Sequence, residues 1–254
     1  MIDINRNDKT ASVNKYDFQG MPSPSKMGIK LIEKYQENYI REYLSDVPKN
    51  ADIMEIGGGK GFFANACIKR EWNYCTIEKS AIQTDKFLKR GIRAINASVP
   101  PLPTHDKMFD LVHADQVVEH LNNHDEAILF VQECWRVLKP NGLLSIVCPN
   151  IMSQKFYFYE VDYSHSYPTS KYRLEWLLKD YGFEISYAGF FLNWNNSKHL
   201  VVRATRPVLL LLFNFIRLPV VAFLLDFLGL GTLRKRVLKT CTDNVVIIGR
   251  KNPL

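Results

Sequence analysis

Carboxylates at the ends of apolar runs, a glycine-rich turn between two of them, and histidines in loops are the residues here that could do chemistry. Ile53-Met54-Glu55-Ile56-Gly57-Gly58-Gly59-Lys60-Gly61 reads as a strand entering a turn that opens a helix. Glycines at such a turn allow positive φ and let a ligand come close to the backbone, while the helix N-terminus offers N–H groups. The loop by itself says only that a nucleotide-like ligand binds. Gly59-Lys60-Gly61-Phe62-Phe63-Ala64 also fits the dinucleotide pattern GxGxxA, with Glu78 at a distance suited to a ribose.

Glu55 helps to separate the readings. A carboxylate in an apolar strand costs free energy unless something pairs with it. A ligand carrying an ammonium and a sulfonium would supply the partner, whereas a pyrophosphate would be repelled. Bonding of Glu55 to backbone N–H groups of the turn is the alternative. Glu78, followed by Lys79, closes the run Trp72 to Ile77, and its two oxygens could accept both hydroxyls of a ribose. Among histidines, which suit a general base at neutral pH, His165 and His120 are the candidates. His165 ranks first because it stands in a loop, and for each a structural hydrogen-bonding role is the alternative.

These residues need a scaffold, and the pattern supplies one. Gly28 to Leu44 has helical apolar spacing. Short apolar runs follow at 52–56, 74–77, 94–95, 111–114 and 143–148, with helical patterns at 61–69, 81–89 and 125–138. This alternation predicts a mostly parallel sheet with helices on both faces and ligands beyond the carboxyl ends of its strands. A helix at 169–181, a strand at 183–190 and a final strand at 244–249 complete the pattern. Residues 1–46 are expected to form an arm and lid helix, and 47–254 the main domain with a helical insertion at about 191–241.

Within the insertion, Pro207 to Leu230 is apolar, but Arg217, Pro219 and Asp226 argue against a membrane span and for two short helices. They could cap the site, form a homodimer interface, or lie in a membrane surface through 207–239, with Arg234-Lys235-Arg236 on anionic headgroups. The chain of 254 residues carries a net charge of +7, with 46% hydrophobic and 23% charged residues, which excludes a disordered or fibrous class. Five scattered cysteines form no CxxC pair, so a reducing cytoplasmic location is expected, with the inner face of the membrane left open.

With these motifs in place, the chain resembles class I S-adenosylmethionine-dependent methyltransferases over roughly Asp52 to Gly189 and the final strand. The resemblance implies a Rossmann-like α/β fold with a seven-stranded, mostly parallel sheet and an antiparallel last strand. It makes Glu55, Gly57, Gly59, Gly61 and Phe62 the methionine-side loop, and Glu78 with Lys79 the ribose side. Phe109 to Leu121 resembles the fourth strand and its loop, placing Asp115 and Gln116 at the cofactor. Arg136-Val137-Leu138-Lys139-Pro140-Asn141-Gly142 resembles the turn into the fifth strand. Many relatives contact adenine with an Asp after the third strand; Asn96-Ala97-Ser98 stands here instead. Some quinone O-methyltransferases hold a metal with an acidic residue three positions before a Glu-His pair; Gln116 occupies that place, so no metal is expected.

Asp162-Tyr163-Ser164-His165 resembles a DxxH segment of methyltransferases from surface-polysaccharide gene clusters, which implies a small-molecule or glycan-linked hydroxyl acceptor. Phe156, Tyr157, Phe158, Tyr159, Tyr163 and Tyr167 could line its pocket, or belong to the core. S-adenosylhomocysteine would be the product, and no nucleic acid is expected. An NAD-dependent oxidoreductase, resting on GxGxxA and Glu78, and a non-catalytic S-adenosylmethionine-binding scaffold stay open.

Overall fold

The computed structural model describes residues 24–192, 200–231, 233, 234, 237, 238 and 242–252. The arm at 1–23 and Lys235, Arg236, Lys239 and Cys241 lie outside the described residues.

Ser25 caps the first helix, α1 (Lys26–Tyr43), by accepting from Gly28 N at 3.2 Å. The alternating part then runs β1 (Asp52–Ile56), α2 (Phe62–Ile68), β2 (Asn73–Glu78), α3 (Ala81–Lys89), β3 (Arg93–Asn96), β4 (Phe109–Asp115), α4 (His124–Val137) and β5 (Leu138–Pro149). Two short helices, α5 (Ile151–Gln154) and α6 (Tyr157–Val161), were not apparent in the periodicity. After them come α7 (Lys171–Asp180), β6 (Phe183–Leu192), α8 (Leu200–Ile216), α9 (Pro219–Phe227) and β7 (Asp243–Lys251).

The strands form one seven-stranded sheet in the order β3-β2-β1-β4-β5-β7-β6. Strands β1 to β5 pair in parallel, and β7 runs antiparallel to both of its neighbours, as the sequence predicted. Parallel strands joined by helices bury both faces, which is why their sequences are continuously apolar. On one face α1 and α2 set Tyr39, Ile40, Phe63 and Cys67 against Ile53, Leu111 and Val147. On the other, α4 and α7 set Phe130, Cys134, Leu174 and Leu178 against Met54, Val112 and Ile146.

Strand order reverses between β1 and β4, the point at which open α/β sheets take their ligands at the carboxyl edge. The opposite edge is fastened by the RVLKPNG turn. Lys139 Nζ donates to Asp52 Oδ2 and Asp110 Oδ2, both at 2.7 Å, at the amino ends of β1 and β4. Arg136 pairs with Glu133 and Asp106 and donates to the carbonyls of Leu102 and Thr104, pinning the segment between β3 and β4.

The insertion departs from two equal ten-residue helices. Pro219 does start a helix, as expected, but α8 runs for 17 residues with Pro207 inside it. No single helix among the described residues is long and apolar enough to cross a membrane, and the pair Pro207–Ile216 and Pro219–Phe227 is bent by 70°.

Removal of the Arg136 guanidinium takes a donor from two carbonyls and two carboxylates, of which Glu133 keeps the N–H of Leu102. Arg136→Ala is expected to cost about 2–3 kcal/mol, the range for hydrogen bonds to a charged group. For a domain of this size that corresponds to a fall of roughly 4–10 °C in Tm by calorimetry.

Candidate active site

The crevice is built from the loops that follow β1, β2 and β4. The glycine turn holds Gly57, Gly59 and Gly61 at φ of +74°, +54° and +76°. Gly58 has a different reason to be glycine: a Cβ there would stand 2.6 Å from Thr76 Oγ1 and 2.9 Å from the Phe87 ring. A Cβ on Gly59 would meet only a carbonyl oxygen, at 3.8 Å, so this loop turns an open backbone surface outward. Phe62 begins α2 half-buried.

Glu55 is 5% exposed, and the hydroxyl of Tyr74 donates to its Oε2. Its carboxylate therefore leans on a β2 side chain, while the turn's N–H groups are satisfied elsewhere. Gly57 N bonds Ile77 O, Gly58 N bonds Thr76 Oγ1 and Gly59 N bonds Glu78 Oε2 at 3.1 Å. Burial pushes the Glu55 carboxyl up to about 8 against the pull of Tyr74, with Asp115 and Glu78 adding repulsion. Asp115, at the end of β4, is pushed up to about 7 by burial. Burial thus makes two carboxyl groups at the strand-order reversal hold their protons near neutral pH.

Glu78 is also buried, and its Oε1 accepts from Ser80 N at 3.2 Å. Each of its oxygens has one backbone donor, and each keeps a further lone pair for a ribose hydroxyl. Lys79 is exposed beside it. Asn96 donates through Nδ2 to the carbonyls of Glu78 and Lys79 at 2.9 and 3.0 Å, which leaves Oδ1 as the acceptor for an adenine amine. Ala97 N donates to Glu78 O, and Ser98 is exposed next to it. Gln116 is exposed with φ +59°, and the next residue, Val117, would stand 3.0 Å from a Cβ on Gly57. The loops after β1 and β4 are therefore in contact.

Beyond β4 the chain makes a short turn, Val118–His120, that the DxxH loop clasps: Ser166 N and Tyr167 N both donate to Glu119 O, at 2.9 and 3.1 Å. This brings the two candidate histidines together with ring centroids 5.1 Å apart. His165 Nδ1 donates to Phe158 O at 2.7 Å, and His120 Nδ1 meets Ser164 Oγ at 2.8 Å. That hydroxyl in turn donates to Asp162 Oδ1 at 2.9 Å, so it accepts from His120. The Asp of DxxH thus orients one histidine through Ser164, and the His supplies the other. Glu119, between them, is 1% exposed, and burial holds its carboxyl well above the usual range.

Sequence reading missed Tyr74, Ser164 and the α1 tyrosines, and met Glu119 only as the acid of a Glu-His pair. Tyr35 and Tyr39 are near enough to feel the Asp115 charge, and burial drives both phenols upward. Tyr39, Ser145 and His113 form a buried hydrogen-bonded trio, and burial lowers His113 to about 3, which removes it as a base. Of the aromatic group, Tyr157, Phe158 and Tyr167 are core, while Phe156, Tyr159 and Tyr163 are exposed.

A family model described as a methyltransferase domain matches residues 29–188. The chain belongs to this methyltransferase family. A Mycobacterium tuberculosis relative named "Probable S-adenosylmethionine-dependent methyltransferase" is 35% identical over 101 residues, 39% of this chain and 36% of the relative. The ubiquinone biosynthesis O-methyltransferase of Rickettsia prowazekii is 30% identical over 135 residues, 50% of this chain and 49% of that protein. The alignments thus span less than half the length of these curated relatives. Among solved structures, phosphoethanolamine N-methyltransferase 2 of Haemonchus contortus in complex with S-adenosyl-L-methionine superposes with TM-score 0.59 at 17% identity. That superposition covers 94% of this chain and 60% of the other. A SAM-dependent methyltransferase from Archaeoglobus fulgidus gives 0.55 at 17% identity, covering 86% and 94%. These likenesses bear out the Rossmann-like fold.

S-adenosylmethionine is accordingly the methyltransferase's cofactor, and the crevice fits it. The open glycine backbone suits a close ligand, and the proton-holding carboxyls Glu55 and Asp115 suit an ammonium. The pH consequence has a definite sign. The Glu55 carboxyl binds its proton more tightly folded than unfolded, so its own contribution to stability is full below about pH 4 and is lost as pH rises toward 8. Glu55→Gln should flatten this slope in calorimetric scans between pH 5 and 8. Binding of S-adenosylmethionine at pH 7 should release on the order of one proton, read from titrations in buffers of different ionisation enthalpy, and the variant should release less.

Proposed function

We propose that the chain transfers the methyl group of S-adenosylmethionine to a hydroxyl of a small molecule or glycan-linked acceptor, with Glu55, the glycine turn, Glu78 and Asn96 to Ser98 holding the cofactor. The observation that carries the acceptor reading is the His120–His165 pair. It stands in the loops beyond β4 and β5, next to the crevice, and each ring is oriented through Nδ1. The cofactor supplies an already activated methyl. What this chain must add is alignment of the acceptor oxygen and removal of its proton. The histidine pair is where that proton is lost. The DxxH segment and the matched ubiquinone biosynthesis O-methyltransferase both favour an oxygen acceptor.

A groove of about 460 Å³ lies past the end of β5, with Asn150, Ser153, Lys171 and Asn214 beside Met152, Tyr172, Phe190 and Leu210, a mixed polar and apolar wall that suits a sugar ring carried on an apolar group. Surface-polysaccharide assembly is the setting we infer for such an acceptor. His165→Ala and His120→Ala are each expected to lower kcat/KM on sugar hydroxyls by ~10²-fold or more, as for a lost acid–base group, while calorimetry reads unchanged S-adenosylmethionine affinity. Undiminished turnover in both variants would sink the assignment.

We further infer that the protein works at the cytoplasmic face of a membrane. Leu211, Phe215, Val220, Phe223, Phe227 and Leu228 are exposed along α8 and α9, an apolar surface of the kind that seats in a lipid interface. Arg234-Lys235-Arg236 and Lys239 follow in the sequence and suit anionic headgroups. Flotation with vesicles containing phosphatidylglycerol should exceed that with phosphatidylcholine alone and fall in a Phe223→Ser, Phe227→Ser double variant. A lipid-free homodimer dissociated by the same changes would assign the face to self-association.

A further inference from the structure

The proposed acceptor site holds a group that base catalysis does not use. Glu119 is 1% exposed, and neither of its carboxylate oxygens has a hydrogen-bond partner. A carboxylate so placed needs either a proton or a cation. One ligand atom each from Glu119, His120 and His165 lies within 4.8 Å of the other two. The hydrogen bonds at Nδ1 decide how the rings are presented. His165 gives its Nδ1 proton to a carbonyl and His120 gives its own to Ser164, so each neutral ring carries its lone pair on Nε2. Metal-binding histidines are oriented in this way, with the second nitrogen donating to a carbonyl or a carboxylate-linked group.

From this geometry we propose that Glu119, His120 and His165 bind a divalent cation of the zinc type, with a fourth position open to the acceptor hydroxyl. The inference rests on the reading of the histidine pair as the acceptor site. Two imidazoles and one carboxylate favour a borderline ion such as Zn²⁺ over Mg²⁺, which prefers oxygen ligands and an octahedron. Ligands on a tetrahedral ion with bonds of about 2.0–2.1 Å stand roughly 3.3 Å apart, so side-chain rotations of about an ångström would close the set. The expectation of no metal rested on Gln116, which is exposed with positive φ. The third ligand is contributed instead by a loop 45 residues downstream of His120.

The chemistry balances without a further reactant. The hydroxyl coordinated at the fourth position loses its proton to solvent more readily than free hydroxyl. Its oxygen lone pair forms the new O–C bond while the C–S bond breaks and its electron pair returns to sulfur. No redox change occurs.

The test is calorimetric titration of chelator-stripped full chain with ZnCl₂, and with MgCl₂ in parallel. One Zn²⁺ per chain is expected, with no comparable heat from Mg²⁺. Glu119→Gln and His165→Ala should each weaken zinc binding at least 10-fold while S-adenosylmethionine titration confirms that both variants fold. Zinc binding unchanged in both variants would overturn the proposal. So would a wild type that binds no zinc yet methylates in a histidine-dependent way, because the imidazoles would then act directly as bases. Zinc binding lost in the variants, with no turnover on any hydroxyl acceptor, keeps the metal site and overturns the acceptor reading instead.

Discussion

Two carboxyl groups at the point where strand order reverses, Glu55 buried and Asp115 half-buried, set the terms for the rest of the molecule. Glu55 ends β1 behind the glycine turn, Asp115 ends β4, and burial makes both hold protons near neutral pH. Among the described residues no basic side chain pairs with either. The fold tolerates this because Tyr74 supplies a donor to Glu55 and because the parallel sheet fixes both strand ends. The arrangement suits a cationic ligand. The glycine turn makes room for one, since its nearest backbone has no side chain to keep the ligand away.

The two edges of the sheet divide the work. At the amino ends of β1 and β4, Lys139 and Arg136 tie strands and loops into an ion-paired clasp. At the carboxyl ends, loops without such ties carry Glu78, Asp115, His120 and the DxxH segment. The rigidity of one edge permits the open geometry of the other, because the crevice depends on where β1 and β4 end. The RVLKPNG turn is thus distinctive in sequence for a mechanical reason.

The acceptor side is held by backbone as much as by side chains. Two N–H groups of the DxxH loop close on the carbonyl of Glu119, which fixes His165 against His120 across 45 residues of chain. The same clasp buries the Glu119 carboxylate among the rings. A site that joins an unsatisfied acid to two oriented imidazoles is costly to keep unless something binds there. The helices α8 and α9 add a different unsatisfied feature, an apolar face turned to solvent.

Much of this was legible from residue order. The parallel sheet, the glycine turn, Glu55 and Glu78 follow from apolar period, glycine placement and the cost of a carboxylate in a strand, all of which are local properties. The antiparallel last strand and the turn into β5 were readable through family likeness. What the chain order could not give was which distant residues meet. Tyr74 becomes the partner of Glu55 only through the register of β1 on β2, which puts Glu55 beside Thr76 and its own-face neighbour Tyr74. Glu119 reads only as the acid of a Glu-His pair lacking its third member until the turn at Val118–His120 directs it inward. The pairing of His120 with His165, and the exposure of the apolar insertion, were decided by packing, because burial and contact are sums over segments that sequence neighbours do not share.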